Sequence, residues 1–288
     1  MKFIISAAFQ PAEHLLPIAM AAEAAGFEAI ASSDHAVYPR TLDTPYPYTP
    51  DGTRRYDEES EFPDPWVLAG AMSSVTKRLR FTSNVYVLPM RNPFLAAKQV
   101  ATAAALSKNR VTLTVGVGWS KLEFELLEQA FERRGARADE MIEVMQKLLS
   151  GGWVTHEGEF YQFNELKLTP PIPTEPIPIW VGGISDFALR RAARQDGWLS
   201  DLQTSAEIID CVSRVRRYRS EFGKSSEFEA VASASDAADV DGYRRLEDGG
   251  ITHVLTLPWV FYYGLTNSLE EKVDGIKRFA EETLSKFP

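Results

Sequence analysis

The hydrophobic pattern alternates short apolar runs with longer stretches whose apolar residues recur every three or four positions. The short runs predict buried strands, and the longer stretches predict amphipathic helices. Strands are predicted over 3–8, 28–32, 80–88, 111–117, 177–181, 198–200, 228–233 and 252–257. Helices are predicted over 12–25, from 65 onward, and over 93–106, 136–149, 185–194, 205–222, 240–248 and 269–284.

The helix boundaries carry signals of their own. Asp64-Pro65 and Asn92-Pro93 each supply an N-cap followed by proline at the first helical position. Eight strand–helix pairs is the number that closes a (β/α)8 TIM barrel. A doubly wound open sheet is the alternative, but no nucleotide-binding glycine fingerprint follows the first strand. We therefore expect α/β architecture with one TIM-barrel domain over 1–288.

Two segments interrupt this rhythm. The first, 36–63, follows predicted strand 2 and is rich in Pro, Tyr, Asp and Arg. Because it leaves the C-terminal end of a strand, it should overhang the catalytic face of a barrel as a lid. The second is an insertion between helix 4 and strand 5, over 151–176. Its alternation around Tyr161 predicts a small hairpin packed on the outside.

Composition narrows the functional classes. The net charge is −9, so an acidic surface would repel phosphate backbones and nucleic acid is not an expected partner. The single cysteine, Cys211, forms no internal disulfide, which suits a reducing cytoplasm. The N-terminal apolar run is short and is interpreted as the first strand rather than a signal peptide. No stretch is long enough for a membrane helix, so no membrane is expected as a partner.

Polar residues and glycines directly after barrel strands are the candidates for chemistry, because that rim holds the site. Ser33-Asp34-His35 follows strand 2, and a histidine can transfer protons there. A plain loop turn is the alternative. Thr82-Ser83-Asn84-Val85 lies inside strand 3, where small polar residues indicate either backbone presented to a ligand or an inward polar layer bonded to its neighbours.

Glycines mark the other two candidate places. Gly116-Val117-Gly118-Trp119 follows strand 4 and would let a ligand approach the backbone beside an aromatic wall. The segment 180–185, which contains Gly182, Gly183, Ile184 and Ser185, joins strand 5 to helix 5. It offers backbone N–H groups to a phosphate, or is simply a tight turn. The four histidines are scattered without metal-ligand spacing, so no metal site is expected.

Taken together, these places resemble the luciferase-like monooxygenase superfamily, and in particular its branch of F420-dependent oxidoreductases. The resemblance runs in order from the first strand to the sixth. It rests on these stretches, quoted as they stand: Ser33-Asp34-His35, Tyr46-Pro47-Tyr48, Pro50-Asp51-Gly52, Phe62-Pro63-Asp64-Pro65, Val87-Leu88-Pro89 with Arg91 and Pro93, Ala97-Lys98-Gln99, Gly116-Val117-Gly118-Trp119, Gly158-Glu159-Phe160-Tyr161, Trp180-Val181-Gly182-Gly183, Arg190-Arg191-Ala192-Ala193 and Asp196-Gly197-Trp198.

The resemblance implies a deazaflavin ring across the barrel mouth, with F420 as the cofactor and FMN as the alternative. Asp34 and His35 match ring-contacting positions, and Asn84–Val85 matches the site of a non-proline cis peptide that props the ring. Cofactor contacts are implied for Asp34, Ser83, Asn84, Val85, Gly116, Gly118, Trp119, Gly182, Gly183, Ile184 and Ser185. His35 is the predicted catalytic residue, and Phe9, Tyr46, Trp119 and Trp259 are predicted to wall the cavity of a small-molecule substrate.

Two departures argue against a sugar-phosphate dehydrogenase. Those enzymes carry a catalytic glutamate where this chain has Trp119, and a tryptophan where it has Tyr38-Pro39. The predicted activity is hydride transfer between F420 and a small organic substrate. The alternatives are a two-component monooxygenase that uses reduced FMN, a non-catalytic flavin-binding protein and a barrel hydrolase. A homodimer is the expected assembly, and a separate flavin or F420 reductase is a further candidate partner.

Overall fold

The computed structural model describes residues 1–287 as a barrel of parallel strands surrounded by helices. The strands are β1 (Lys2–Ser6), β2 (Ala29–Ser32), β3 (Arg80–Ser83), β4 (Tyr86–Val87), β5 (Leu113–Gly116), β6 (Val154–Glu157), β7 (Gln162–Leu166), β8 (Ile179–Gly182), β9 (Gly197–Gln203), β10 (Glu229–Ala234) and β11 (His253–Thr256). β6 and β7 form a separate antiparallel hairpin, and the other strands form the barrel wall.

The helices are α1 (Ala12–Ala25), α2 (Pro65–Val75), α3 (Pro93–Ser107), α4 (Lys121–Leu126), α5 (Arg134–Leu149), α6 (Asp186–Ala192), α7 (Ser205–Glu221), α8 (Val240–Asp248), α9 (Val260–Tyr263) and α10 (Leu269–Glu282). The predicted caps form: Asp64 accepts the N–H of Trp66 at 2.9 Å, and Asn92 accepts that of Phe94 at 3.0 Å. Within residues 1–287, no helix is both long and apolar enough to cross a bilayer.

One wall strand is broken in the middle. β3 pairs with β2, whereas β4 pairs with β5, and the break falls at Asn84 and Val85, whose peptide bond is cis. An isolated parallel bridge between Phe81 and Val111 adds to the join. Strand neighbours follow the order β3-β2-β1-β11-β10-β9-β8-β5-β4. Because β3 and β4 share one position, the nine wall segments occupy eight positions and the predicted TIM barrel is confirmed.

Side-chain alternation along the strands separates two cores. The larger core lies between the wall and the helices and contains Phe3, Leu113, Trp198 and many helix residues. The smaller core fills the barrel and consists of Ile4, Ala29, Ala31, Trp180, Leu199, Val231 and Leu255, with Val85 packed against it. The barrel is therefore a packed scaffold, and its open surface lies at the ends of the strands.

The lid predicted at 36–63 crosses the mouth of the barrel. It has no helix or strand of its own and leaves the C-terminal end of β2. Arg55 of the lid pairs with Asp201 of β9, with 3.0 Å between Nη1 and Oδ2. β9 stands four positions from β2 in the eight-position wall, so this ion pair fastens the lid to the far side of the mouth.

The insertion between α5 and β8 contains the expected hairpin. Its turn is held by Glu140 of α5, whose carboxylate accepts the N–H groups of Phe160 at 2.9 Å and Tyr161 at 2.7 Å. The helix α4 was not predicted. It lies directly after the glycine-rich segment that follows β5, and this position brings it to the site.

Candidate active site at the barrel mouth

The four candidate segments meet at the C-terminal ends of the parallel strands. Residues 33–35 follow β2, 84–85 interrupt the β3–β4 strand, 116–119 end and follow β5, and 182–185 end and follow β8. Asp34 accepts the N–H of Val87 at 2.8 Å, which joins the first segment to the second. Val85 joins the second segment to the two glycine segments, because its methyl groups lie over Gly116 and Gly182.

Val85 occupies the centre of the mouth, between the ends of β5 and β8. A Cβ atom on Gly116 would lie 2.3 Å from Cγ2 of Val85, and one on Gly182 would lie 2.3 Å from Cγ1. Neither position therefore accepts a side chain while Val85 keeps its place. The side chain of Val85 therefore covers both glycines and lies between the ends of β5 and β8.

Asp34 holds the broken strand in place. Its side chain is 3% exposed, and the carboxylate accepts the Val87 N–H with one oxygen and an N–H on Nη2 of Arg91, at 2.5 Å, with the other. Burial raises the pKa of the Asp34 carboxyl, while Arg91 and the Val87 N–H favour its charged form. Burial alone would lower the pKa of Arg91, but Asp34 raises it above its usual value. Both carboxylate oxygens of Asp34 are thus engaged by protein donors.

The ring of His35 is hydrogen-bonded to the buried carboxylate of Glu123. Its Nδ1 lies 2.9 Å from Oε2 of Glu123, and Oε1 of the same carboxylate accepts the N–H of Ala36 at 2.7 Å. The side chain of Glu123 is 3% exposed and that of His35 is 15% exposed. Among residues 1–287, no protein group is hydrogen-bonded to Nε2 of His35, so this nitrogen is available to a ligand.

Aromatic rings surround His35. Its ring centroid lies 5.0 Å from that of Phe62, 5.1 Å from that of Tyr56 and 5.9 Å from that of Trp119. Tyr46 of the lid contacts Trp119 edge-on at 5.3 Å, and burial raises the pKa of Tyr46 to about 12. We call these rings, with Phe9, the aromatic cluster: Phe9, Tyr46, Tyr56, Phe62 and Trp119. Such a lining favours a partly apolar ligand and excludes water.

The segment after β8 is open to solvent. Ile184 is 48% exposed, and Ser185 caps α6 by accepting the N–H of Ala188 at 3.2 Å. Gly183 has a φ of +120°, a conformation that favours glycine. Its carbonyl accepts Nε1 of Trp198 at 2.8 Å, which fixes the turn to the wall.

Two predicted site residues lie elsewhere. Ser83 is fully buried in the wall, where its Oγ donates to the carbonyl of Thr114 at 2.9 Å. Thr82 pairs with the Thr114 hydroxyl at 2.7 Å, so Thr82 belongs to the inward polar layer that was the alternative interpretation. Trp259 is 1% exposed in the larger core and packs against Gly275 of α10, so we leave it and Ser83 out of the proposed site.

Sequence reasoning missed four contributors: Glu123, Tyr56, Phe62 and the pairing of Arg91 with Asp34. Glu123 lies in a run of charged and apolar residues, Lys121–Glu128, which has the pattern of a solvated helix. Phe62 and Arg91 were within the family-like stretches but carried no assigned role. One local signal was present: Glu123 lies three residues after Ser120 and between two apolar residues, Leu122 and Phe124, as an inward-facing side chain would.

The fold and the mouth define a TIM-barrel protein whose strand ends bring together a histidine, a buried carboxylate and two glycines packed against Val85. Within residues 1–287, no group of three or more His, Cys, Asp or Glu side chains is arranged to hold a metal ion. The chain belongs to the luciferase-like monooxygenase family, whose model matches residues 1–241.

The chain also resembles individual proteins. It is 42% identical over 289 aligned positions to an uncharacterized protein of Mycobacterium tuberculosis, covering 99% of this chain and all of that one. It is 32% identical over 212 positions to the F420-dependent glucose-6-phosphate dehydrogenase of Segniliparus rotundus, covering 69% of this chain and 56% of the other. The fold is shared with the monooxygenase RslO1 of Streptomyces bottropensis, with a TM-score of 0.77, 19% identity and complete coverage of both chains.

Proposed function

We propose that this protein is an oxidoreductase that binds the deazaflavin F420 at the barrel mouth and transfers hydride between it and a small organic substrate. The observation that carries the proposal is His35, which is held through Nδ1 by Glu123 and has Nε2 free within the aromatic cluster. A histidine held in this way can donate or accept a proton at its free nitrogen. Membership of a family of redox enzymes supplies the reaction class.

The residues at the mouth fit a flat heterocycle. Gly116 and Gly182 add no side chain of their own to this surface, so Val85 is the residue on which such a ring would rest. In the proposal, Asn84, Val85, Gly116, Gly118 and Trp119 hold the ring, with Asp34 beneath them. The segment 182–185, with Ile184 and Ser185, holds the phosphate side. When bound, the cofactor supplies the hydride donor or acceptor. His35 then moves the matching proton, while the lid excludes water.

The choice of F420 over FMN is supported by the relative from Segniliparus rotundus, whose name states dependence on F420. A substrate other than a sugar phosphate is supported by Trp119 and by Tyr38-Pro39, which depart from the pattern of the sugar-phosphate dehydrogenases. Reduced FMN with O₂ is the second candidate, because the family to which the chain belongs is named for monooxygenases.

Calorimetric titration separates these candidates. The purified protein is titrated with F420 and with FMN, each oxidised and reduced. Saturable heat with F420, and at least tenfold weaker binding of FMN, supports the proposal. Tighter binding of reduced FMN would replace it with the monooxygenase, and no heat with either coenzyme would remove both.

The role of His35 is tested with a variant that keeps its partner satisfied. His35→Asn retains an N–H donor for Glu123 but has no nitrogen that exchanges protons. With reduced F420 and a panel of small aldehydes, ketones and enones, turnover of the best substrate should fall by about 10²- to 10⁴-fold. The F420 dissociation constant should stay within about threefold, since the aromatic cluster and the glycine surface are unchanged. Unchanged turnover would remove His35 from the mechanism.

The assembly and its partners remain proposals. We expect a homodimer, which light scattering of the purified chain would test, and a single barrel domain over the whole chain. A cytoplasmic location and a separate reductase that regenerates the cofactor follow from the proposed chemistry.

A further inference from the structure

Glu123 has a buried position that few glutamates occupy without a specific task. It is the third residue of α4, its side chain is 3% exposed, and both of its oxygens face the loop after β2. Oε2 is 2.9 Å from Nδ1 of His35 and Oε1 is 2.7 Å from the backbone nitrogen of Ala36. One carboxylate therefore contacts both the histidine and the residue after it.

The charge state of this carboxylate determines which nitrogen of His35 carries hydrogen. Burial alone would raise the pKa of Glu123, but the hydrogen bond and charge of His35 and the Ala36 N–H lower it below its usual value. An ionised carboxylate only accepts hydrogen bonds. The 2.9 Å contact is therefore made by an N–H on Nδ1 of His35, and the lone pair of the neutral ring lies on Nε2.

We propose that Glu123 is a positioning residue that fixes His35 in the Nδ1–H tautomer, so that Nε2 is the atom that exchanges the proton with the substrate. The proposal rests on the proposed function for its catalytic meaning. In the reductive direction, the substrate double bond accepts hydride at one atom while the other atom takes the proton from Nε2 of protonated His35. The π bond is broken, the deazaflavin is oxidised by loss of the hydride, and His35 is left neutral with its hydrogen on Nδ1. Oxidation runs the same steps backwards.

The informative substitution is Glu123→Gln. Glutamine keeps the shape but has one acceptor oxygen where glutamate has two. The Ala36 N–H, which lies in a part-buried position, requires that oxygen. The amide NH₂ then faces Nδ1 of His35, which must accept, and the ring hydrogen is driven to Nε2. The substitution is thus expected to invert the tautomer.

Long-range ¹H–¹⁵N NMR of protein labelled with ¹⁵N-histidine reads the tautomer directly, without cofactor. At mildly alkaline pH, His35 of the wild type should show a protonated Nδ1 and an unprotonated Nε2, with His35→Asn assigning the signals. Glu123→Gln should show the reverse. The matched control is Glu125→Gln in the same helix, because Glu125 is exposed and pairs only with Lys121; it should match the wild type.

Two results would overturn the proposal: a wild-type His35 with its hydrogen on Nε2, or a Glu123→Gln spectrum identical to that of the wild type. Should Glu123→Gln fail to fold, the wild-type spectrum still decides, and Glu123→Asp serves as the second variant. Aspartate has one methylene fewer, so it should loosen the Nδ1 contact and give a mixture of tautomers. The signals of His156, which is bound to Glu140 in the hairpin, report whether the fold is intact.

Turnover with reduced F420 gives a second readout. Glu123→Gln should lower kcat by about 10²-fold. The double variant Glu123→Gln/His35→Asn should have a kcat within about twofold of that of His35→Asn. Glu123 acts through His35 in the proposal, so the effects of the two substitutions on the activation free energy should not add. A multiplicative loss in the double variant would show that Glu123 acts only through the fold and would sink the proposal. Failure of F420 to bind would reject the proposed function but leave the NMR result to decide the tautomer.

Discussion

Val85 determines which residues can stand at two positions of the neighbouring strands. Its methyl groups would lie 2.3 Å from a Cβ at either Gly116 or Gly182. The glycines are therefore required by packing as well as by any ligand that approaches the backbone. This explains why two glycines end wall strands in a protein whose other wall positions are well filled.

Gly116→Ala should lower the free energy of unfolding by about 1–3 kcal/mol, as overpacking in a rigid site does. Urea unfolding measures the loss. Adding Val85→Ala should recover part of it, because the nearest remaining atom, Cβ of residue 85, is 3.2 Å away.

Gly70→Ala is the matched control for that substitution. Gly70 lies within α2, and the nearest atom to its added Cβ is Cδ1 of Leu106 at 3.6 Å, an ordinary contact. Alanine there should stabilise the protein by about 0.5–1 kcal/mol through helix propensity. Equal effects at the two positions would contradict the packing argument.

Single residues also show where sequence reasoning stopped. His35, Asp34 and the paired glycines were found because they follow strands, and strand ends can be located from local pattern. Trp259 also follows a strand, yet α9 and α10 enclose it in the core, which is a long-range effect. Glu123 was missed for the converse reason: its local pattern is that of a surface helix, and only the tertiary contact with His35 shows its place.

At the scale of elements, the lid is held by the packing of its aromatic rings and by one ion pair to the far wall. The Arg55–Asp201 pair joins it to β9, and both side chains are 29% exposed. A pair of this exposure contributes at most about 1 kcal/mol. The ion pair therefore adds a small share to the attachment that the aromatic contacts of the lid provide.

Asp201→Asn should raise the fraction of open lid up to about fivefold, the equivalent of that 1 kcal/mol. Amide hydrogen exchange of residues 36–63 should quicken by the same factor, while the strands are unaffected. Asp241→Asn is the control, because its 3.8 Å pair with Arg244 lies on the exposed surface of α8. Equal rates of amide hydrogen exchange in the lid of Asp201→Asn and Asp241→Asn would argue that the Arg55–Asp201 pair does not hold the lid.

The elements themselves were largely predictable. Apolar periodicity located the strands and most helices because each is a local property of the chain. The sequence predicts one strand over 80–88, because its apolar pattern is continuous. The structure divides this segment into β3, which pairs with β2, and β4, which pairs with β5. The short helix α4 was absent from the prediction because six residues give too little periodicity.

At the scale of the whole molecule, the N-terminal end of the barrel makes stability depend on pH. His253 is 2% exposed inside the wall. Burial, with the nearby charges of Lys2, the amino terminus and Arg80, lowers its pKa to about 3. The folded state therefore binds fewer protons than the unfolded state between that value and the ordinary histidine pKa of about 6.5. This contribution to stability is present above pH of about 6.5 and is lost as the pH falls.

The free energy of unfolding should thus fall by about 2 kcal/mol from this group between pH 7 and pH 5. In the His253→Gln variant residue 253 has no titratable group, so this part of the pH dependence of the free energy of unfolding should disappear. Urea unfolding at both pH values measures it, and the region above pH 7, where the two proteins should have parallel profiles, is the internal control. A slope unchanged by the substitution would contradict the assignment.

Eight strand–helix pairs were enough to predict a barrel, because a parallel wall of that number closes. The sequence predicts that the four site segments lie at the same rim of the barrel, because each lies at or directly after a strand. Which atoms meet across that rim depends on packing between strands far apart in sequence, such as Val85 with Gly182.

The division of one wall strand between two neighbours has a mechanical consequence. β4 pairs with β5 over only two residues, and the Phe81–Val111 bridge completes this seam of the barrel, so the part of the seam nearest the mouth is short. A molecule that contacts both β4 and β5 there would bridge the two edges of the seam. Its binding free energy would add to the free energy that keeps the barrel closed. The stability of the barrel would therefore increase with the fraction of protein that has ligand bound.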